Sequence, residues 1–222
     1  MRLSTASTPE RIYIKENTNL KTTCCLFFIV WIWTLIDVAD MVNWTLENTP
    51  VFLFTGILVL TYDRYKFSDL SYILIFTFLA LHIFGAKYTY AENPFGEWLQ
   101  QELGSKRNHY DRIVHFLFGF LLAYPMRELC LRYFNFSPKV SNGIPIIVCL
   151  ALGGFYEIVE GVVVGVFFPE QGLNFLGIQG DLWDPQKDIA LAWLGSVGSV
   201  AVIELYKYAR RYLPKRQLSL RV

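Results

Sequence analysis

Charged residues are scarce in this sequence. They make up 18% of its 222 residues, whereas 54% are hydrophobic. A soluble domain of this length carries more charge and alternates apolar with polar residues, but here the apolar residues come in long blocks. The blocks exclude an ordinary soluble domain. The net charge of only +1 gives no reason to expect nucleic acid as a partner.

Familiar catalytic motifs are also missing. The sequence contains no GxxxxGK(S/T), GxSxG, HExxH or CxxC stretch, so a phosphate-binding loop, a nucleophile elbow and a zinc-protease helix have no support. None of the four cysteines falls in a loop that we expect outside the membrane: Cys24, Cys25, Cys130 and Cys149. We therefore expect neither a disulfide nor a CxxC-type zinc site.

The apolar blocks have the length of membrane spans. A hydrocarbon core about 30 Å thick is crossed by about 20 apolar residues in a helix. Six blocks approach that length: Cys24–Val42, Trp44–Tyr62, Asp69–Ala86, Asp111–Cys130, Gly143–Phe168 and Asp188–Tyr208. The sequence predicts an all-α, polytopic membrane bundle of about six helices at residues 24–208, between an N-terminal segment at 1–23 and a basic tail at 209–222.

The placement of Lys and Arg predicts the orientation of this bundle. With the N-terminus in the cytoplasm, 15 of the 20 basic residues fall in cytoplasmic segments and five fall outside. The positive-inside rule therefore favours both termini in the cytoplasm, and five spans would put the basic tail on the wrong side. We expect the tail to contact anionic lipid headgroups, which makes membrane lipid a partner.

The loop between the third and fourth predicted spans carries a helix signal. Asn93 is a suitable N-cap, and Pro94 suits the first helical position. Apolar residues then recur with helical spacing at Phe95, Trp98, Leu99 and Leu103. The pattern predicts an amphipathic helix that lies flat on the outer membrane surface, or else a short helix that packs on the bundle.

Ionisable residues gather in the outer half of the predicted bundle. Asp111 and His115 are four residues apart at the start of the fourth span, and Glu157 and Glu160 are three apart in the fifth, so each pair shares a helix face. Asp188 begins the sixth span. Charged groups inside a membrane are costly and commonly mark functional sites, so these five residues are our candidate catalytic groups.

Several carboxylates this close together need counter-charge. A divalent cation could be held by Asp111, His115, Glu157, Asp188 and His82. Alternatively, basic side chains pair with the acids, for which Arg107, Arg112 and Lys187 are available, or some carboxyl groups hold protons. Mixed His and carboxylate ligands suit zinc, manganese or iron better than calcium.

Plainer explanations exist for some of these residues. Asp184 has the position of an N-cap for the sixth helix, and Asp111 suits the positive end of the fourth helix. His82 could be a buried, hydrogen-bonded histidine. The loop before the sixth helix adds supporting candidates at Gln179, Asp181, Trp183 and Asp184. Glu157 and Glu160 are the hardest to explain without a function.

Three stretches resemble the YjdF-like family of bacterial inner-membrane proteins. They are Asn108–Phe116, Tyr156–Glu160 and the FLGxQGDxWDxQxD run at Phe175–Asp188, and the segments around Trp44–Asn48 and His82–Tyr90 also fit. The resemblance covers about Trp31 to Leu205 and implies a bacterial inner-membrane location and a topology rather than a reaction. The order of acidic residues and His115 is also similar to VanZ-like membrane proteins.

The sequence supports three kinds of function. The first is a metal-assisted hydrolase or transferase that acts on an amphipathic or lipid-linked substrate at the outer face. The second is a small transporter, active as a homodimer, whose carboxylates change protonation. The third is a membrane protein without catalysis, in which the polar residues form an ion-pair network.

Overall fold

The computed structural model describes residues 17–167 and 179–212, which form seven α-helices and no strand. In chain order the helices are α1 (Thr18–Thr34), α2 (Met41–Thr61), α3 (Asp69–Lys87), α4 (Pro94–Leu103), α5 (Tyr110–Arg132), α6 (Pro138–Phe167) and α7 (Asp184–Tyr212). The predicted all-α architecture is confirmed for this part of the chain. Much of the N-terminal segment and most of the basic tail lie outside it.

Polar side chains begin several helices where the sequence changes from loop to apolar helix. The side chains of Asn17, Asp40, Ser68 and Asn93 each accept a hydrogen bond from a backbone N–H in the first turn of the helix that follows. Such caps satisfy N–H groups that have no partner within the helix.

The six longer helices alternate in direction, so the bundle has two distinct ends. At one end, the Ser68 N–H before α3 donates to Glu128 near the end of α5 over 2.8 Å. At the other end, Arg107 before α5 pairs with Asp184 at the start of α7 over 2.5 Å. We name these the Glu128 end and the acidic end.

The two halves of the bundle are packed by different side chains. Large apolar residues join α1, α2, α3 and α5: Leu20, Phe27, Val51, Tyr72, Ile75, Phe76, Leu79, Ile83 and Leu122. Glycines join α5 to α7 instead, because a Cβ at Gly119 would overlap the backbone of Ala192 and one at Gly195 would overlap the backbone of Phe116. The two helices therefore touch backbone to backbone.

Within residues 17–167 and 179–212, four helices are long and apolar enough to cross a membrane: Asp69–Lys87, Tyr110–Arg132, Pro138–Val166 and Asp184–Tyr212. They correspond to the third to sixth predicted spans. The other two are weaker candidates, because α1 has only 17 residues and the first half of α2 contains Asn43, Glu47 and Asn48.

The first predicted span, Cys24–Val42, has the wrong boundaries. Helix α1 already begins at Thr18 and ends at Thr34. The chain then turns through Asp37, whose φ is +51°, and Asp40 caps α2. The apolar block therefore contains a turn, and the helix extends back into the polar residues that precede the block.

The helix predicted between the third and fourth spans is confirmed as α4. It begins after Asn93 with Pro94 in its first turn, and Gly104 ends it in the left-handed conformation with φ +58°. Gly96 faces the bundle, where a Cβ would overlap the Asn108 side chain. Phe95 and Trp98 are exposed, so α4 packs on the bundle and still presents an aromatic face.

Candidate functional site

A small cavity at the acidic end is enclosed by α5, α6 and α7. Its volume is about 60 Å³, and it is lined by Asp111, Glu157, Glu160, Gly161, Asp184, Pro185 and Asp188. We name it the acidic cavity. Five of its seven lining residues carry a carboxylate. Such an acidic lining is unusual for a cavity between apolar helices.

Helix direction explains why these acids meet. Asp111 lies in the first turn of α5 and Asp184 is the first residue of α7, and both helices begin at the acidic end. Helix α6 runs the opposite way, so Glu157 and Glu160 in its second half reach the same depth. Residues far apart in the sequence are therefore brought to one level of the bundle.

His115 connects α5 to α6 beside the cavity. Its Nε2 lies 3.4 Å from Asp111 Oδ1 and 3.3 Å from Glu157 Oε1. The ring also lies edge-on to Tyr156, with centroids 6.2 Å apart. One nitrogen thus faces carboxylates from two helices.

Asp188 is a buried carboxylate with an incomplete set of hydrogen-bond partners. The residue is 2% exposed, and its Oδ1 has no hydrogen-bond partner among the described residues. Buried polar atoms almost always have a partner, and a charged atom without one is costly. An oxygen of this kind indicates a missing ligand or a bound proton.

Asp111, His115 and Asp188 form a candidate metal group. One ligand atom from each lies within 4.8 Å of the others. Ligands about 2.1 Å from a metal are separated by at most about 4.2 Å, so a bound ion would draw the three side chains slightly together. The residue types therefore fit a transition metal, and the spacing fits after a small contraction.

Two guanidinium groups neutralise the loop side of the cavity. Arg107 pairs with Asp184 over 2.5 Å and lies 3.7 Å from Asp111. Arg112 pairs with Asp184 over 3.2 Å and also pairs with Asp181. Asp184 is therefore held by two cations, and its carboxylate does not act as the simple N-cap that we considered.

Of the loop candidates, Asp184 lines the cavity, whereas Gln179, Asp181 and Trp183 lie outside it in the segment before α7. The Gln179 side chain accepts from the Asn108 N–H over 2.8 Å and donates to the Asn108 carbonyl oxygen over 3.2 Å. Asp181 accepts from the Trp183 N–H, and the Trp183 ring is exposed. The Lys187 ammonium group is the main cause that lowers the pKa of Asp181 to about 2, and Arg112 also contributes.

His82 belongs to a different group of residues. Its Nε2 lies 2.8 Å from the Glu47 carbonyl oxygen and its Nδ1 lies 2.6 Å from the Tyr90 hydroxyl. Because a carbonyl oxygen only accepts, Nε2 carries the proton and Nδ1 accepts from Tyr90. The structure does not bring His82 to the candidate metal group; it is a hydrogen-bonded histidine.

Two residues of this region were missed as site candidates. The Tyr156 hydroxyl donates to Glu47 Oε2 over 2.7 Å and so ties α6 to α2. Glu47 interrupts an apolar block, and the cost of a charge inside a membrane should have singled it out. Tyr156 gives no such signal, because an aromatic residue in an apolar helix is ordinary.

Fold and cavity together define a multi-pass helical membrane protein with a buried cluster of acids and one imidazole. The chain belongs to the family described as predicted membrane protein (DUF2238), whose model matches residues 20–209. The chain is 35% identical over 186 residues to the inner membrane protein YjdF of Escherichia coli (strain K12). The matched region covers 82% of this chain and 87% of that protein.

The predicted family and the predicted location in the bacterial inner membrane are confirmed by these matches. No solved structure matches the chain. Part of the motif that carries the resemblance, Phe175–Ile178, lies outside the described residues. The similarity to VanZ-like proteins stays a prediction.

Proposed function

We propose that the chain crosses the inner membrane six times, with both termini in the cytoplasm and the acidic end at the outer face. The alternating helices support this arrangement, since α1 begins and α7 ends at the Glu128 end. Helices α1 and α2 also expose large apolar side chains, among them Ile32 and Leu60, that suit contact with lipid. The distribution of Lys and Arg supports the orientation.

We further propose that the acidic cavity is the active site of a metal-assisted hydrolase or transferase. The observation that carries this proposal is the buried Asp188 carboxylate. One of its oxygens has no partner among the described residues, and the carboxylate offers a ligand atom within 4.8 Å of ligand atoms of Asp111 and His115. A divalent zinc, manganese or iron ion would satisfy that oxygen and offset the excess of carboxylates.

The surrounding residues have suitable positions for proton transfer. A metal ion would supply a polarised water or substrate oxygen at neutral pH. Glu157, next to His115, would take a proton from the attacking water or hydroxyl as that oxygen bonds to the substrate. Glu160 would give a proton to the leaving oxygen when its bond to the substrate breaks.

A purely structural ion-pair network explains only one side of the cavity. Arg107 and Arg112 account for Asp184 and partly for Asp111. They do not account for Asp188, or for Glu160, which has no hydrogen bond or ion pair among the residues described. The unpaired Glu160 also favours the second candidate function, a small transporter in which this carboxyl group gains and loses a proton.

Elemental analysis of the detergent-purified protein tests the metal. After loading with zinc, manganese or iron and dialysis, the wild-type chain should retain a stoichiometric ion. Asp188→Asn should bind it at least about tenfold more weakly, since even residues behind a metal ligand affect affinity that much. Glu204→Gln is the matched control, because Glu204 lies on the same helix at the Glu128 end.

The possible results separate the candidate functions. Equal metal binding by wild type and Asp188→Asn would remove Asp188 from the site. No stoichiometric metal under any loading condition would overturn the metal-assisted reaction and leave the transporter as the better explanation.

A further inference from the structure

The acidic cavity has one exposed wall. Of its seven lining residues, Gly161 on α6 is exposed, whereas the five acids and Pro185 are buried or half-buried. A Cβ built at Gly161 would meet no atom within 4 Å. The cavity therefore opens beside the helix backbone at Gly161, where no described side chain closes it.

The opening lies on the least buried of the four long apolar helices. Only 11% of the apolar stretch of α6 is buried in the protein. Next to Gly161, Ile158 and Val162 are 65% and 56% exposed, and Phe155 continues the same exposed surface. Because α6 is a membrane span in the proposed topology, the opening faces the acyl chains of the bilayer rather than water.

The depth of the opening suits an amphiphile. Gly161 lies six residues before the end of α6 at Phe167, which is about 9 Å along a helix. A molecule lying there would keep its polar group near the membrane surface. Its chain would run along Ile158 and Phe155 toward the middle of the bilayer.

The cavity also limits the size and chemistry of that polar group. A site for one water needs at least about 10–15 Å³, so about 60 Å³ holds a few non-hydrogen atoms and not a whole phospholipid head. Ionised carboxylates only accept hydrogen bonds. The wall therefore favours a small head that donates them, such as a hydroxyl or an ammonium group.

We propose that the acidic cavity binds the small hydroxyl or ammonium head of a single membrane amphiphile, which enters sideways from the bilayer past Gly161. This inference rests on the proposed function in taking the cavity as the active site and α6 as a span. It adds the class of substrate and its route. The acyl chain stays in lipid, so the protein needs no large cavity to hold it.

Photocrosslinking in phosphatidylcholine nanodiscs tests the route. The probes are a long-chain amine and a long-chain alcohol, each with a diazirine next to the head, and the matching carboxylic acid for comparison. In the wild type, the amine and the alcohol should label peptides that contain Glu157, Glu160 or Asp188, and the acid should label them less.

Two glycine variants separate entry from general lipid contact. Gly161→Leu should reduce labelling of the cavity acids about tenfold, which corresponds to about 1.4 kcal/mol of binding. Gly165→Leu is the matched control, since Gly165 lies one turn further along α6, also has no atom within 4 Å of a built Cβ and does not line the cavity. It should label like the wild type, and both variants should elute as folded protein.

Two outcomes would overturn the proposal. One is equal labelling of the cavity acids in both variants. The other is labelling confined to the lipid-facing side of α6 around Phe155, Ile158 and Val162. Repeating the experiment with and without a chelator separates the test of lateral entry from the test of metal binding. Labelling of the cavity acids that persists in the chelator supports lateral entry even if the protein binds no metal.

Discussion

The two ends of the bundle each bury carboxylates, but these carboxylates differ in how many hydrogen-bond and ion-pair partners they have. At the Glu128 end, Glu128 accepts hydrogen bonds from the Ser68 N–H, from the hydroxyls of Ser68 and Ser71, and from Arg132. At the acidic end, Asp188 keeps an oxygen without a partner. One end satisfies its buried charge completely and the other does not.

This difference separates structural from functional carboxylates better than burial alone. A buried charge that every neighbour supports stabilises the fold or is neutral. A buried charge that lacks support lowers stability and persists where a ligand or a proton completes it. The comparison can be tested by removing one carboxylate at a time.

The largest effect is expected at Asp184, which is the best supported acid of the cavity. Asp184→Ala leaves the guanidinium groups of Arg107 and Arg112 with fewer partners in a buried place, so unfolding should become easier by about 3 kcal/mol. Unfolding in mixed detergent and SDS micelles measures this change. Asp188→Asn serves as the comparison and should cost little stability or even add some; equal losses in the two variants would contradict the distinction.

A smaller loss is expected at the Glu128 end. Glu128→Ala removes the acceptor for Ser68, Ser71 and Arg132, but Arg132 is partly exposed and can turn to water. The free energy of unfolding should fall by about 2 kcal/mol, while metal binding and photolabelling at the acidic end stay as in the wild type. A loss of metal without a loss of stability would show that the two ends are coupled.

The smallest effect concerns Asp181, in the described segment just before α7. The pKa of Asp181 is about 2 in the folded protein, mainly because of Lys187, and about 3.9 in an unfolded chain. A lowered folded-state pKa means that the carboxylate stabilises the fold above about pH 4, and that this contribution is lost as the pH falls through about 2. Lys187→Gln should raise the pKa of Asp181 in a carbon-13 NMR titration, and an unchanged value would remove Lys187 as the cause.

Much of the acidic end follows from the sequence because it depends on depth and on helix faces. A spacing of four residues puts Asp111 and His115 on one face, and the order of the spans puts Glu157 at the same level. Neither argument needs to know which helices are neighbours. The helical nature of Pro94–Leu103 follows equally from its cap and its periodicity.

The remainder depends on how the helices are rotated and paired, which periodicity does not give. His82 has a suitable depth for the metal group, but α3 turns it toward Glu47 and Tyr90 instead. The predicted boundaries of α1 were wrong because the Asn17 cap lies before the apolar block and the turn at Asp37 lies inside it. The hydrogen bonds from Ser68 and Ser71 to Glu128 were missed because serines carry no charge.

The glycine contact between α5 and α7 has a consequence for motion. Because the backbones of α5 and α7 touch at Gly119 and Gly195, we expect these two helices to move together and to carry Asp111, His115 and Asp188 as one unit. Helix α6 carries Glu157 and Glu160 and has open space around Gly161 and Gly165. Any change in the width of the cavity during a working cycle is therefore a displacement of α6 against a fixed pair, and a distance between spin labels on α6 and α7 would measure it.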